Sequence, residues 1–342
     1  MPLTIIHRDI TKVKCEVIVD PSDSRFSGSG GADRAIHAAA GAELDAACRG
    51  LAPIRCGETA VTDGYALPSR YIIHTMGPVW RGGSENEEML LRSCYINSLL
   101  KAKSLGVQSI AFPLISSGTF GFPKDKVLRI AADAISEFLF QIDSELEVFV
   151  CVLDRSDFEV RRASELHGYL DRFGLFPHVY DAVIENIAEE AENSIAAEPL
   201  PSLMPKGVKR SARASAFSGL SEWIKKQDKS FSEMLLDLIK QKGMKEVECY
   251  KRANVSKNTF SKIKNAGKPV PYQPSKPTVI AFAIALRLNM TETQELLKSA
   301  GFTLSHNNFF DLIIEYYISQ GIYDVFEINE ALYYYDQVCL GC

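Results

Sequence analysis

Residues 15 to 41 read Cys15-Glu-Val-Ile-Val-Asp-Pro-Ser-Asp-Ser-Arg-Phe-Ser-Gly-Ser-Gly-Gly-Ala-Asp-Arg-Ala-Ile-His-Ala-Ala-Ala-Gly41. Val17-Ile-Val19 is too uniformly apolar for an edge strand, so it predicts a strand buried on both faces, with helices above and below. A glycine-rich bend follows. Beyond it, Ile36, Ala39, Ala40 and Leu44 form the apolar stripe of a helix expected over about Ala32 to Arg49. Gly28, Gly30 and Gly31 carry no Cβ, so backbone N–H groups can close on an anion there. The positive end of the helix dipole adds to that attraction. Gly-Ser-Gly-Gly does not have the Gly-x-Gly-x-x-Gly spacing, and a strand-to-helix turn without any ligand uses the same residues.

The pattern repeats further along the chain. Ile110-Ala-Phe-Pro-Leu-Ile115 followed by Ser116-Ser-Gly-Thr-Phe-Gly-Phe-Pro123 is again a buried strand, a glycine bend and the approach to a helix. Other strands are expected at Leu3 to Arg8, Thr59 to Gly64, Arg70 to Thr75, Ser109 to Leu114 and Glu147 to Leu153. Helical patterns separate them at Glu87 to Leu105, Lys124 to Phe140 and Phe158 to Arg172. This alternation predicts an α/β fold over residues 1–180, a three-layer α/β/α sandwich with a mixed sheet. Ligands on such sheets gather outside the strand ends, where both glycine loops fall.

With Tyr71-Ile-Ile-His-Thr-Met-Gly-Pro-Val-Trp80, these segments resemble, in colinear order over the first half of the chain, the macrodomain family, whose members bind ADP-ribose between two such loops. The resemblance implies a ligand of the ADP-ribose type and a role for each matching residue. Glu16 stands where the family places an acidic acceptor for the adenine amino group. Gly28, Gly30, Gly31 and Ala32 on one loop, and Ser116, Ser117, Gly118, Thr119, Phe120 and Gly121 on the other, match the diphosphate clamps. Leu153, followed by Asp154, occupies the place of an aromatic against adenine, with Phe158 as a substitute.

Asp20-Pro-Ser-Asp23 stands where many members carry Asn-Ala-Ala-Asn, so Asp23 offers only acceptors to the distal ribose. Asp33 and His37 match an aspartate and a histidine of the members that hydrolyse ADP-ribose from acidic side chains. Four residues apart, they share a helix face, Asp33 to position water and His37 to orient the loop. A structural role, helix capping by Asp33 and packing by His37, competes with this one. Asp20, Asp23 and Asp33 bring three acids toward a diphosphate, and their repulsion grows in a water-poor cleft. Protonation, a bound cation or a ligand with a cationic distal group would each relieve it. No cofactor is required by this reading and no dedicated set of metal ligands is expected.

The 342 residues are enough for two domains, and 46% hydrophobic content is ordinary for a globular chain. No apolar run is long enough to span a membrane, and the expectation is a soluble, cytoplasmic, bacterial-style protein. Eight scattered cysteines read as reduced thiols. Cys339-Leu-Gly-Cys342 is a lone C-x-x-C, expected to be a disordered tail rather than a zinc site.

The net charge of −5 hides a segregation: residues 231–304 carry 12 Lys/Arg against 6 Asp/Glu, while 305–342 carry 6 Asp/Glu and no Lys/Arg. Residues 181–230 are expected to form an acidic helix and a flexible basic linker. Over 231–304 the apolar spacing predicts an all-α bundle, and Asn254-Val-Ser256 joins two short helices. That arrangement resembles the helix-turn-helix domains of phage-repressor-like regulators.

If it reads DNA, Lys257, Asn258, Thr259, Ser261, Lys262 and Lys264 are the residues that would face it. A helical protein-interaction module accounts for the same lysines as solvated surface. The aromatic segment 305–342 is read as two helices that cap the bundle or form a homodimer surface. The overall expectation is a sensor or reader of ADP-ribose or a derivative, coupled to a DNA- or protein-binding module. The alternative is a hydrolase that removes ADP-ribose from macromolecules or deacylates O-acyl-ADP-ribose.

Overall fold

In the computed structural model, residues 3–142, 146–153, 163–172, 229–265 and 272–341 are described. The buried run of the opening stretch is β2 (Val17–Ser22), near the middle of a six-stranded sheet with β1 (Leu3–His7), β3 (Thr59–Asp63), β4 (Tyr71–Met76), β5 (Ser109–Pro113) and β6 (Glu147–Val152). The spatial order is β1-β6-β5-β2-β4-β3, and only the β3–β4 pair is antiparallel. The expected mixed sheet is therefore a parallel sheet with one reversed edge strand.

Alternation along β2 divides the core between the two faces. Val17 and Val19 join the side covered by α3 (Glu87–Leu105) and α4 (Lys124–Gln141). Ile18 joins the other side, with Ile36 of α1 (Gly31–Ala40) and Leu44 of α2 (Ala42–Cys48). All three β2 side chains are out of reach of solvent, and burial on this scale is worth about 1.5–3 kcal/mol per large apolar side chain. The single helix expected over Ala32 to Arg49 is in fact two. Gly41, at φ +91°, stops α1 with its N–H on the His37 carbonyl and starts α2 at the next residue.

Helix α5 (Ala163–Asp171), which the sequence places with the sandwich, belongs by packing to the other core: Leu166 and Leu170 lie in the helical cluster. That cluster is built by α6 (Phe231–Gln241), α7 (Glu246–Arg252), α8 (Lys257–Lys264), α9 (Lys276–Ala285), α10 (Met290–Ser299), α11 (Phe309–Ser319) and α12 (Val325–Tyr334). Polar caps mark the starts. Ser230 and Asn289 form capping boxes with Glu233 and Glu292, and Ser256 accepts from the Thr259 N–H as expected. The expected connector, 181–230, lies almost wholly outside the described residues, as do Asp154 and Phe158.

The two cores are in contact. Asn254, in the turn between α7 and α8 at φ +55°, takes the Leu3 N–H on Oδ1 and donates Nδ2 to the Leu3 carbonyl, both at 2.9 Å. Its amide thus imitates a neighbouring strand at the edge of the sheet. Tyr333 of α12 enters the α3–α4 side of the sandwich core. The C-terminal tail, expected to be disordered, is packed. Asn329 holds the Leu340 N–H at 2.7 Å and its carbonyl at 3.1 Å, and Leu340 is fully buried. A Cβ on Gly341 would come within 2.6 Å of the Asn254 carbonyl oxygen, so only glycine lets the chain end press on that turn.

Candidate functional site

The parallel strands end on one side of the sheet, and there the loop after β2 meets the loop after β5 across a cleft. Its lining includes Asp23, Gly30, Gly31, Ala32 and Asp33 from the first loop and helix, Ser116 to Phe120 from the second, and Cys151 to Leu153 from the end of β6. The loops approach closely: a Cβ built on Gly30 would lie 3.9 Å from Thr119 Oγ1.

Each loop is held by its own residues. Asp23 accepts from the N–H groups of Arg25 and Ser27 and from the hydroxyls of Ser27 and Ser29. Burial opposes its ionisation, but these hydrogen bonds outweigh that and hold its carboxyl below the ordinary value. The residue expected to face a distal ribose thus also ties its own loop. Gly28, at φ +64°, packs against the His37 ring. The Ser29 N–H donates to Asp33 Oδ2 at 2.9 Å.

In the second loop, Ser116 takes φ +66°, and its buried hydroxyl has no hydrogen-bond partner among the described residues. A Cβ on Gly77 would fall 2.1 Å from that oxygen. The Trp80 N–H supports the loop from outside by donating to the Phe120 carbonyl at 2.9 Å. Among the described residues, no protein acceptor takes the N–H groups of Gly31, Ala32, Gly118, Thr119 or Phe120. They belong to residues lining one cleft, at the N-terminus of α1 and along the second loop.

Sequence reasoning missed Lys124, which lines the cleft. The signal was there, because a lysine in the first turn of a helix opposes the dipole and calls for a reason. Glu16, expected at the adenine end, is not in the lining. It sits at the start of β2, at the opposite end of the sheet, where its carboxylate takes the Gln108 N–H. The acid that follows β1 toward the cleft end of the sheet is Asp9, two residues beyond the strand and, like Glu16, outside the lining. His7 is paired with Val152 across the β1–β6 ladder, and the Asp9 charge acts on the thiol of cleft-lining Cys151. Asp9 also accepts from the Thr11 N–H and hydroxyl. Leu153 is at the rim, 69% exposed.

Behind the first loop lies a second group of polar side chains, all buried except Asp45. Asp20 accepts from His74 Nδ1 at 2.7 Å, and His74 Nε2 lies 2.9 Å from the Thr62 hydroxyl. His37 Nδ1 lies 2.6 Å from Asp45 Oδ1, and its Nε2 is 3.4 Å from Asp33 and 3.9 Å from Asp20. Asp33 is pushed up to about 6 from an ordinary 3.8, first by burial and then by the Asp20 charge, with His37 and hydrogen bonds opposing.

The nucleic-acid candidates are elsewhere, on α8. Lys257, Asn258, Ser261, Lys262 and Lys264 are exposed and Thr259 is half-buried. Lys264 is paired with Glu246 at 2.9 Å. The aromatic residues of α11 and α12 offered as a dimer surface are largely buried within the chain itself, Phe309, Tyr316 and Tyr317 among them. Among the described residues no helix is long and apolar enough to cross a membrane.

Sheet order, flanking helices and the cleft between two glycine loops define a three-layer α/β/α domain with a cleft lined by backbone N–H groups at its strand ends. A sequence profile of the Macro domain family matches residues 19–131. A Macro domain-containing protein of Ralstonia nicotianae is 44% identical over 155 residues, 45% of this chain and 89% of that protein. An O-acetyl-ADP-ribose deacetylase of Citrobacter rodentium is 44% identical over 152 residues, 43% of this chain and 86% of that protein. The solved Oceanobacillus iheyensis macrodomain with ADP is similar at 39% identity over 45% of this chain and 84% of that one, with a TM-score of 0.43. The chain belongs to the macro domain family.

Proposed function

We propose that the cleft binds ADP-ribose, free or as part of a modified molecule, and that the helical region docked on the sheet edge uses the bound state as a sensor does. The observation that carries this reading is the set of five unpartnered backbone N–H groups beside the cleft, with Lys124 on the same wall. Backbone donors at a helix N-terminus and in a glycine loop suit the two phosphates of a diphosphate and need no side chain to reach it. The acidic acceptor at the adenine end is then Asp9 rather than Glu16, and Phe120 is the wall for the distal ribose. Coupling to the helical region would run through Asn254 and the β1 edge, which Asp9 follows directly in sequence.

A second reading, hydrolysis of an ester to ADP-ribose, is favoured by Asp33. Its carboxyl lies on the cleft wall with an affinity for protons raised to about 6, in the range a group needs to exchange protons near neutrality. Asp33 would take a proton from water as the water attacks the acyl carbonyl and return it to the ribose oxygen as the ester C–O bond breaks, releasing the carboxylic acid and ADP-ribose, while His37 keeps Gly28 and its loop in place. Relatives named O-acetyl-ADP-ribose deacetylases make this the reaction to try first. Incubating the full chain with O-acetyl-ADP-ribose and with a mono-ADP-ribosylated protein separates the two readings. Binding without turnover supports the sensor. Turnover that Asp33→Ala abolishes supports the hydrolase.

A further inference from the structure

Beneath the first glycine loop, three buried groups converge. Asp20 comes from β2, and Asp33 and His37 stand one turn apart on α1; one ligand atom from each lies within 4.8 Å of the others. Asp20 is 0% exposed, Asp33 1% and His37 8%. His37 Nδ1 lies 2.6 Å from Asp45 Oδ1. That contact turns Nε2 toward Asp33 and Asp20, and with the ring proton on Nδ1 it faces them as a lone pair. Nε2 makes no hydrogen bond, and neither does Asp20 Oδ1. Burying acceptors against acceptors is costly unless something positive lies between them.

We propose that Asp20, Asp33 and His37 bind one divalent transition-metal ion, of the manganese or zinc class, beneath the first glycine loop. One imidazole nitrogen and two carboxylates are a donor set for that class of ion. Ligand bonds of about 2.0–2.2 Å leave neighbouring ligand atoms about 3.0–3.5 Å apart. Nε2 lies 3.4 Å from Asp33 Oδ1 and 3.9 Å from Asp20 Oδ2, and the three ligand atoms, within 4.8 Å of one another, would draw together around an ion. The supporting residues are also in place. Asp45 holds the His37 tautomer, His74 holds Asp20 from its ladder position directly opposite, and Ser22 lies 3.3 Å from Asp33 Oδ1. Such outer partners orient the ligands and raise their basicity.

Asp33 is on the cleft wall, so an ion has a way in. Two positive charges would balance the two buried carboxylates and remove the repulsion that the Asp20-to-Asp23 segment otherwise brings to a phosphate-binding loop. The inference rests on this geometry and not on the identity of the nucleotide.

The test is titration of manganese(II), an ion that thiols bind weakly, into the full chain after chelator treatment, followed by the loss of the free-ion paramagnetic signal and by calorimetry. One ion per chain is expected. Asp20→Asn and Asp33→Asn should each weaken binding at least tenfold. Asp45→Asn, which alters only the ring's outer partner at a half-exposed position, should weaken it about tenfold. This last variant keeps the test decisive if a ligand variant fails to fold. Absence of stoichiometric binding overturns the proposal, because a proton alone then occupies the centre. So does binding that survives all three substitutions. ADP-ribose affinity measured in chelator on the same samples shows separately whether the nucleotide reading holds.

Discussion

The two sides of the first glycine loop are built from opposite chemistry. Toward the cleft, the loop and the start of α1 offer backbone N–H groups beside Asp23 and Asp33, facing the hydrogen-bond donors of the second loop across a few ångströms. On its inner side, the same loop closes over Asp20, Asp33 and His37, where Asp20 Oδ1 and His37 Nε2 have no hydrogen-bond partner among the described residues. Both sides use Asp33: one oxygen fixes the loop through the Ser29 N–H, and the other faces His37. The loop therefore separates a place suited to negative charge from a place suited to positive charge. The outer side tells what kind of ligand the domain takes. The inner side tells what this chain adds to it.

The comparison breaks most severely if the outer side is deformed. Gly77→Ala puts a methyl group 2.1 Å from Ser116 Oγ and 2.8 Å from Ile115 Cγ2. Overpacking of this kind costs about 1–3 kcal/mol, and the second loop has to move. Thermal unfolding should show the destabilisation, and calorimetry a loss of ADP-ribose affinity of about 30-fold or more, with manganese binding unchanged. Equal loss at both places would mean that the two sides are not separable.

A smaller effect is expected from removing charge without moving the loops. Lys124→Ala should weaken ADP-ribose about tenfold, equivalent to about 1.4 kcal/mol, the scale of a charge-assisted hydrogen bond. The difference from wild type should shrink as salt is raised. An unchanged affinity would take Lys124 out of the site.

The smallest effect sharpens the inner side and is read with chelator present. Asp33 binds its proton more tightly folded, at about 6, than unfolded, at an ordinary 3.8. Its contribution to stability is thus full below about pH 4, declines as the pH rises to 6, and is level above that. Asp33→Asn removes the decline. The melting temperature of the variant relative to wild type should climb between pH 4.5 and 6.5 and then stay flat. A difference that does not vary with pH would mean that burial and the Asp20 charge do not raise the proton affinity of Asp33.

Much of this was legible in the residues. Val17-Ile-Val19 announces a strand buried on both faces, and Gly28 to Gly31 and Ser116 to Gly121 announce the loops, because periodicity and missing Cβ atoms are local properties. Register and end of sheet are not local. Glu16 and Asp9 are both acids beside strands, and only the parallel pairing of β1 with β6 shows which one is at the cleft end of the sheet. The break at Gly41 was missed because the apolar stripe continues through it into Leu44. The lone C-x-x-C gives no sign of packing and reads as a disordered tail, but Leu340 is anchored by Asn329 eleven residues earlier. The convergence of His37 on Asp20 and Asp33 depends on Asp45 turning the ring, a contact that spacing does not reveal.

The most direct test of the central claim is calorimetry of the full chain with ADP-ribose, in chelator, on wild type and Gly77→Ala. The account predicts saturable one-to-one binding by wild type without any metal, and its loss in the variant. Absence of heat and of any shift in melting temperature for wild type at millimolar ADP-ribose would contradict it.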